Sequence, residues 1–293
     1  MMSDIQPFYD TVQSIYDQDH TARWLSLFLD PTLLYSCAYF EPEDITLEEA
    51  QYAKLDLSLD KCDLQVGQTL LEIGCGWGAC SYRAASKYKV DVIALTLSET
   101  QREYCLQKMA SLPEGSGKVD VRLQGWEEFH QPVDRIVSIA AFEHFGPMRH
   151  QAFFNRCREL LPADGRLMLH TIVSVEWGDI RAQGLEVTQE FMDFVRFIYK
   201  DIFPGGYLIP KETVHKFARK ANFEVERTHS LRLHYAKTLD IWAANLAANR
   251  QAAIEMRSQQ EYDRYMHYLE GCAKYFRSGH CDICQFTCVP VSG

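Results

Sequence analysis

Leu70-Leu-Glu-Ile-Gly-Cys-Gly-Trp-Gly78 decides the fold of this chain. A short apolar run is broken by one acid, and glycines follow at alternate positions, Gly74, Gly76 and Gly78. Such a run, bounded by turn residues, reads as a buried strand. Glycine lets the backbone turn sharply and approach a ligand where a Cβ would stand in the way. A helical pattern follows over Ala79 to Tyr88. Strand, glycine turn and helix, in that order, open a nucleotide-binding α/β fold.

A dinucleotide site takes the spacing G-x-G-x-x-G. Here the spacing is G-x-G-x-G, with Glu72 two residues before the first glycine. That pattern resembles motif I of the class I S-adenosylmethionine (SAM) methyltransferases. SAM has no pyrophosphate to seat on a helix N-terminus, so the phosphate-binding geometry is not needed. The second strand reads Asp91 to Leu97. Many nucleotide-binding folds end this strand with an acid that holds the ribose hydroxyls. This chain places Thr96, Leu97 and Ser98 there, with Gln101 a turn later. On the generic pattern alone that is a defect, and the ordinary alternative is a glycine turn that only joins strand to helix.

The rest of the chain continues the alternation. Strands are expected at Thr69–Ile73, Asp91–Leu97, Val119–Leu123, Arg135–Ile139 and Arg166–Val173. Strands alternating with helices predict a parallel sheet with right-handed crossovers. Residues 1–65 read as helical and loop-rich. Residues 176–222 break the rhythm: Phe191, Phe194, Phe197 and Ile198 recur at helical spacing until Pro204-Gly205-Gly206 stops them. Such an aromatic face is usually core, or it lines a lipid tunnel. Phe223 to Leu231 returns as a strand, residues 236–278 read as long helices, and the tail supplies a last strand. The expected organisation is a single domain: a helical cover (1–65), a Rossmann-like core of seven mostly parallel strands (66–175 and 223–293), and a helical insertion (176–222).

Composition bounds the partners. The 293 residues are 47% hydrophobic and 24% charged, ordinary for a globular protein. A net charge of −10 disfavours nucleic acid as a partner, and recruitment to an anionic membrane by charge alone. The start, Met-Met-Ser-Asp-Ile-Gln-Pro, has neither the basic flank nor the apolar core of a signal peptide. Ten cysteines without a disulfide-scaffold spacing suit free thiols in a reducing cytoplasm. His280, Cys281, Cys284 and Cys288 include one C-x-x-C, but no second pair accompanies it to complete a zinc site. The same segment alternates, with cysteines acting as small hydrophobes, so a strand is the expectation there and no metal.

Further segments carry a closer resemblance: Leu27-Phe-Leu-Asp-Pro-Thr, Tyr35-Ser-Cys-Ala-Tyr-Phe-Glu, Gly125-Trp-Glu, Val133-Asp-Arg-Ile-Val-Ser-Ile, Phe142-Glu-His-Phe-Gly and His170-Thr-Ile. Ile202-Phe-Pro-Gly-Gly and His234-Tyr-Ala-Lys-Thr-Leu complete the set. From about Tyr16 to Thr287 the chain resembles the cyclopropane-fatty-acid synthase family, and within it the mycolic-acid cyclopropane synthases and their methyltransferase relatives. The resemblance implies transfer of the SAM methyl carbon to the double bond of a long unsaturated acyl lipid. That lipid would ride on an acyl carrier protein or lie at a membrane surface. An alkene is a poor nucleophile, so the sulfonium methyl must be held against it in a dry site. Transfer leaves a carbocation, which aromatic faces stabilise; Tyr35, Phe142, Phe145, Phe203 and Tyr235 are available. The added methyl then loses a proton and the ring closes.

A lone carboxylate in an apolar pocket tends to protonate. By the resemblance a bound bicarbonate is the base, cradled by the side chains of Glu143, His170 and Tyr235 and the backbone amides of Cys37 and Ile172. The three side chains are expected to form a charge-assisted network. SAM would contact Tyr35, Ser36, Gly74, Gly76, Thr96, Leu97, Gln101, Trp126 and Glu127. This resolves the missing ribose acid, because the family uses the Thr-Leu-Ser…Gln arrangement. Each of these residues has an ordinary alternative: a small hydrophobe for Cys37, a satisfied core histidine for His170, a helix cap for Glu143, a packing tyrosine for Tyr235. Their joint presence in matching contexts favours the site.

Two departures stand out. The segment Tyr16-Asp-Gln-Asp-His-Thr-Ala-Arg-Trp is about two residues longer than the family pattern, which puts the geometry of the cover over SAM in question. Ala140 stands where cyclopropane-forming relatives commonly have Gly and hydroxyl-forming relatives an acid. Water capture and a methyl branch are alternative fates of the cation, amine methylation is an alternative reaction, and SAM binding without catalysis is an alternative class. Lys211, Lys216, Arg219 and Lys220 are a candidate patch for an acidic carrier, with a solvated helix face as the favoured reading.

Overall fold

A computed structural model describes residues 5–18 and 20–291. Residues 1–4, on which part of the signal-peptide argument rests, and Asp19, within the longer first segment, lie outside the described residues. The seven strands are β1 (Thr69–Ile73), β2 (Asp91–Thr96), β3 (Val119–Leu123), β4 (Arg135–Ile139), β5 (Arg166–Ser174), β6 (Phe223–Ser230) and β7 (Cys281–Pro290). They form one sheet in the order β3-β2-β1-β4-β5-β7-β6. The first five run parallel, and β7 is antiparallel to both β5 and β6. This is the expected class I methyltransferase sheet.

Strand alternation sends side chains to opposite faces, and both faces are buried. Leu71, Ile73, Leu95, Ile136 and Leu169 pack with Phe153 and Phe154 of the helix His150–Leu160. Leu70, Val92, Ala94, Val137 and Met168 pack with Leu55 and Leu59 of the helix Leu47–Asp60 and with Ala84 and Ala85. The helix Leu47–Asp60 starts where a capping box demands it, with Thr46 and Glu49 satisfying each other's backbone amides.

A third core lies off the sheet. Trp24, Phe28 and Leu33 meet Leu239, Trp242, Leu269 and Phe276 from the helices Arg232–Ala248 and Gln259–Ser278. The region 236–278 thus holds helices, as expected, with a break at the short segment Arg250–Met256. Two expected helices end differently from their patterns. Ala79–Tyr88 turns from α to π at Ala84, and the helix Gln189–Phe197 does the same over Ile198–Ile202. A π turn widens the helix locally and often sits beside a functional cavity. The tail is a strand, with Cys284 and Cys288 fully buried. The basic helix Lys211–Lys220 buries Val214 and Ala218 and leaves Lys211, Lys216, Arg219 and Lys220 exposed, which both readings of that patch require.

Parallel strands deliver their C-terminal ends to one edge of the sheet. Gly74, Thr96, Trp126 and Ala140–Glu143 all follow or end such strands. The order reverses between β1 and β4, the crevice where ligands settle in sheets of this kind.

Candidate active site

Two cavities meet at that edge. All of the residues assigned to SAM line the first: Tyr35, Ser36, Gly74, Gly76, Thr96, Leu97, Gln101, Trp126 and Glu127. The glycine turn enters it with left-handed backbone at Gly74 (φ 82°), Gly76 (φ 51°) and Gly78 (φ 77°). A Cβ on Gly74 would lie 2.5 Å from Ala141 Cβ, so the turn presses directly on the segment after β4. A Cβ on Gly76 would meet nothing within 4 Å.

The remaining contacts are held by short local bonds. Thr96 Oγ1 donates to Gln101 Oε1 at 2.9 Å, joining the two residues that replace the ribose acid. The Ser98 hydroxyl caps the helix Glu99–Met109 by accepting from Gln101 N at 3.0 Å. Gln51 Nε2 donates to Ser36 O at 2.9 Å and Lys54 Nζ to Ser36 Oγ at 2.8 Å, which pins the Tyr35–Ser36 segment to the helix Leu47–Asp60. Lys54 is fully buried, and burial brings its ammonium down to about 8. Burial likewise pushes the Glu72 carboxyl up to about 7, offset in part by the Ser81 hydroxyl that donates to it. Trp126 Nε1 and Glu127 Oε2 are buried without a partner, while Glu127 Oε1 accepts from Arg149 at 2.9 Å. Unpartnered polar atoms in a glycine-lined cleft fit a polar ligand such as the adenosine part of SAM.

The helix Tyr9–Tyr16 lies over this cavity, with Thr11, Val12, Ile15 and Tyr16 in its wall. Gln13 Nε2 donates to Leu97 O at 3.1 Å. Asp17 accepts from Ser98 Oγ, from Glu99 N at 3.1 Å and from Thr100 N at 3.3 Å. An acid at a helix N-terminus is electrostatically favoured. The sequence reading did not single out Asp17.

The second cavity, of about 810 Å³, is mostly apolar. Phe191, Phe194, Ile198, Tyr199 and Phe203 of the aromatic segment form much of its wall, as do Tyr268, Cys272 and Phe276. Glu143, Ile172 and Tyr235 line it, whereas His170 and Cys37, both fully buried, do not. Tyr16, Tyr35, Ala140 and His144 border both cavities. Burial brings His144 down to about 4, so this shared wall carries no charge at neutral pH. Ala140 is held at φ 54°, with its N–H bonded to His170 O at 2.8 Å.

Glu143, His170 and Tyr235, expected to form a charge-assisted network around an anion, are not paired with one another among the described residues. Glu143 Oε1 instead accepts from the Ile172 amide at 3.1 Å, and Glu143 Oε2 is unpartnered. His170 Nδ1 meets Gln285 Nε2 at 3.2 Å, and its Nε2 is unpartnered. Burial raises the Glu143 carboxyl, holds His170 well below its usual range and keeps the Tyr235 phenol protonated, so all three favour their uncharged forms. Burial also pushes the Cys37 thiol well up, and Cys37 Sγ donates to Ala38 O at 3.1 Å, which suits a packing role for the side chain. The cation-facing aromatics also need correction. Tyr35, Phe203 and Tyr235 face the apolar cavity. Phe145 faces the first cavity, and Phe142 packs in the core against His150 and Phe153 with ring centroids at 4.3 and 5.3 Å. Tyr16 and Tyr268 take their place in the wall.

A family model described as mycolic acid cyclopropane synthetase matches residues 4–286. The S-adenosylmethionine-dependent methyltransferase UmaA of Mycobacterium tuberculosis is 52% identical over 98% of this chain and 99% of its own. Cyclopropane mycolic acid synthase 3 of the same species is also 52% identical, over 98% and 99%. A crystal structure of mycolic acid cyclopropane synthase CmaA1 complexed with SAH and CTAB superposes with a TM-score of 0.93 at 49% identity, covering 98% of this chain and 100% of that one.

Proposed function

This chain belongs to the mycolic acid cyclopropane synthetase family of SAM-dependent methyltransferases, and from that premise we propose that it adds the SAM methyl carbon to a double bond of a long unsaturated acyl chain and closes a cyclopropane ring. The observation that carries the reading is the uncharged wall of Tyr16, Tyr35, Ala140 and His144 between a glycine-lined cleft that holds unpartnered polar atoms and a larger apolar cavity, with the unpartnered Glu143 Oε2 beside it. In this reading the cofactor and the hydrocarbon would meet across that wall.

SAM supplies an electrophilic methyl when bound. The chain's own residues do the rest. The glycine turn, Thr96 with Gln101, and Trp126 with Glu127 seat the cofactor. The residues 176–222, which we read as an insertion on the Rossmann-like core, supply much of the acyl wall, and residues 1–65 cover the cleft. Water exclusion protects the positive charge that develops on the acyl chain, and the faces of Tyr35, Phe203 and Tyr235 stabilise it.

Ring closure needs a base that survives in this setting. Bicarbonate, when bound, supplies that basicity, and the unpartnered Glu143 Oε2 and His170 Nε2 fit it. Glu143, His170, Tyr235 and the amides of Cys37 and Ile172 are the groups assigned to hold it. Tyr235 offers a protonated phenol and His170 an uncharged ring. A bound base would meet neutral donors in Tyr235 and His170. The Ile172 amide already donates to Glu143, so it would be shared.

Incubation with methyl-labelled SAM and cis-unsaturated acyl lipids, free and on acyl carrier protein, tests the assignment by mass spectrometry and NMR. The expected product gains one methylene and shows ring protons. A methyl branch or an added hydroxyl would overturn ring closure, and labelled amines with no labelled lipid would overturn the substrate class. No helix among the described residues is long and apolar enough to cross a membrane.

A further inference from the structure

A buried polar row runs behind the site through three neighbouring strands. His170 on β5 is paired in register with Gln285 on β7, and Gln285 with His229 on β6. Gln285, His170 and Ser58 are all fully buried. Lys61 Nζ donates to Gln285 Oε1 and lies 3.1 Å from His229 Nδ1. Gln285 Nε2 is 3.0 Å from Ser58 Oγ and 3.2 Å from His170 Nδ1. Ser58 spends its own hydroxyl hydrogen on Lys54 O at 2.7 Å.

Hydrogen-bond counting fixes the Gln285 amide and the His170 ring in this row. Lys61 is a donor only, so the Gln285 atom facing it is the carbonyl oxygen. Ser58 has no hydrogen left for Gln285, so the atom facing Ser58 is the amide nitrogen. The amide orientation is thereby set twice, independently. The second N–H of that amide points at His170 Nδ1, which must accept it. A neutral imidazole that accepts at Nδ1 carries its proton at Nε2. His170 Nε2 is the buried atom without a partner.

From this we infer that Gln285, oriented by Lys61 and Ser58, is a positioning residue that fixes His170 as the Nε2–H tautomer. The ring then carries its hydrogen-bond donor at Nε2, the buried atom left without a partner. The inference deepens the reading of His170 as part of an anion cradle and rests on it for its consequence. An anion needs a donor there, and the opposite tautomer would offer a lone pair. Partners that fix the outer nitrogen of a functional imidazole are worth roughly 10–100-fold in activity.

The test uses protein labelled with ¹⁵N-histidine, the His170 signals being assigned by difference from His170→Gln. The wild type is expected to show an unprotonated Nδ1 and a protonated Nε2; a protonated Nδ1 overturns the inference. Gln285→Glu replaces the donor by an acceptor and is expected to move a proton to Nδ1, with turnover down roughly 10–100-fold and S-adenosylhomocysteine affinity unchanged within twofold. An unchanged His170 signal in Gln285→Glu overturns it as well. Lys61→Met removes one of the two constraints and leaves Ser58 to hold the amide, so the Nε2–H tautomer is expected to persist; a protonated Nδ1 in this variant overturns the claim that Ser58 orients the amide independently. If the wild type transfers no methyl to any alkene lipid, the proposed reaction fails while the tautomer result stands or falls on the spectrum.

Discussion

The contact between Gly74 and Ala141 sets the distance from the glycine turn to the segment that carries Ala140 and Glu143, and Gly74→Ala perturbs it directly. The added Cβ would lie 2.5 Å from Ala141 Cβ, against an ordinary carbon contact of about 3.5–4.0 Å. Ala141 Cβ is attached to backbone, so the strain cannot be relieved by a rotamer. Overpacking of this kind costs about 1–3 kcal/mol. The backbone at Gly74 has φ 82°, and an L side chain in the left-handed region adds about 1–2 kcal/mol. The expected loss is therefore about 2–5 kcal/mol. Gly76→Ala is the control: φ is 51° and the new Cβ meets nothing within 4 Å, so only the backbone share of about 1–2 kcal/mol applies. Adding Ala141→Gly to Gly74→Ala removes the collision and not the backbone strain. Denaturant titrations of the four members of that cycle are expected to give a coupling of about 1–3 kcal/mol. Equal losses for Gly74→Ala and Gly76→Ala, or a coupling near zero, would refute the close-approach argument.

Three other substitutions probe the buried polar groups. Glu143→Gln keeps an oxygen for the Ile172 amide and removes a buried acid, so turnover should fall by roughly 100-fold or more while the melting temperature at pH 8 holds or rises; a fully active variant would remove Glu143 from the chemistry. Cys37→Ala should keep most of its activity and lose about 1 kcal/mol of stability, and loss of all turnover in a folded protein would show that the thiol itself acts. Glu72→Gln reports on pH. The Glu72 carboxyl is raised from 4.5 to about 7 in the fold, so its neutral form is favoured below 4.5 and a penalty grows as pH rises toward 7. The stability advantage of Glu72→Gln should therefore grow between pH 4.5 and 7, approaching about 3 kcal/mol; an advantage independent of pH would mean that Glu72 is not buried as a neutral acid.

Much of this fold was legible in local pattern. The apolar runs at Thr69, Asp91, Val119, Arg135 and Arg166 became β1 to β5 with ends shifted by a residue at most, because period-two burial and glycine turns are short-range signals. The nine SAM-assigned residues converge on one cleft because each follows or ends a parallel strand, apart from Tyr35 and Ser36, which the helix Leu47–Asp60 pins in place. The π turns at Ala84 and Ile198 left no mark in the helical pattern. Phe142 and Phe203 look alike in sequence, yet one fills the core and the other faces the second, apolar cavity.

What the sequence determined by itself was the sheet, the cofactor turn and the kinship with an alkene-methylating family, since these rest on residue spacing along the chain. What only the tertiary structure decided was protonation. Glu143 is drawn to the Ile172 amide and His170 to Gln285, partners 29 and 115 residues away. Lys61, Ser58 and Gln285 come from distant parts of the chain to aim one imidazole. A proton's position depends on who faces it across the sheet and on how far water is kept away, and neither distance nor burial is written in linear order.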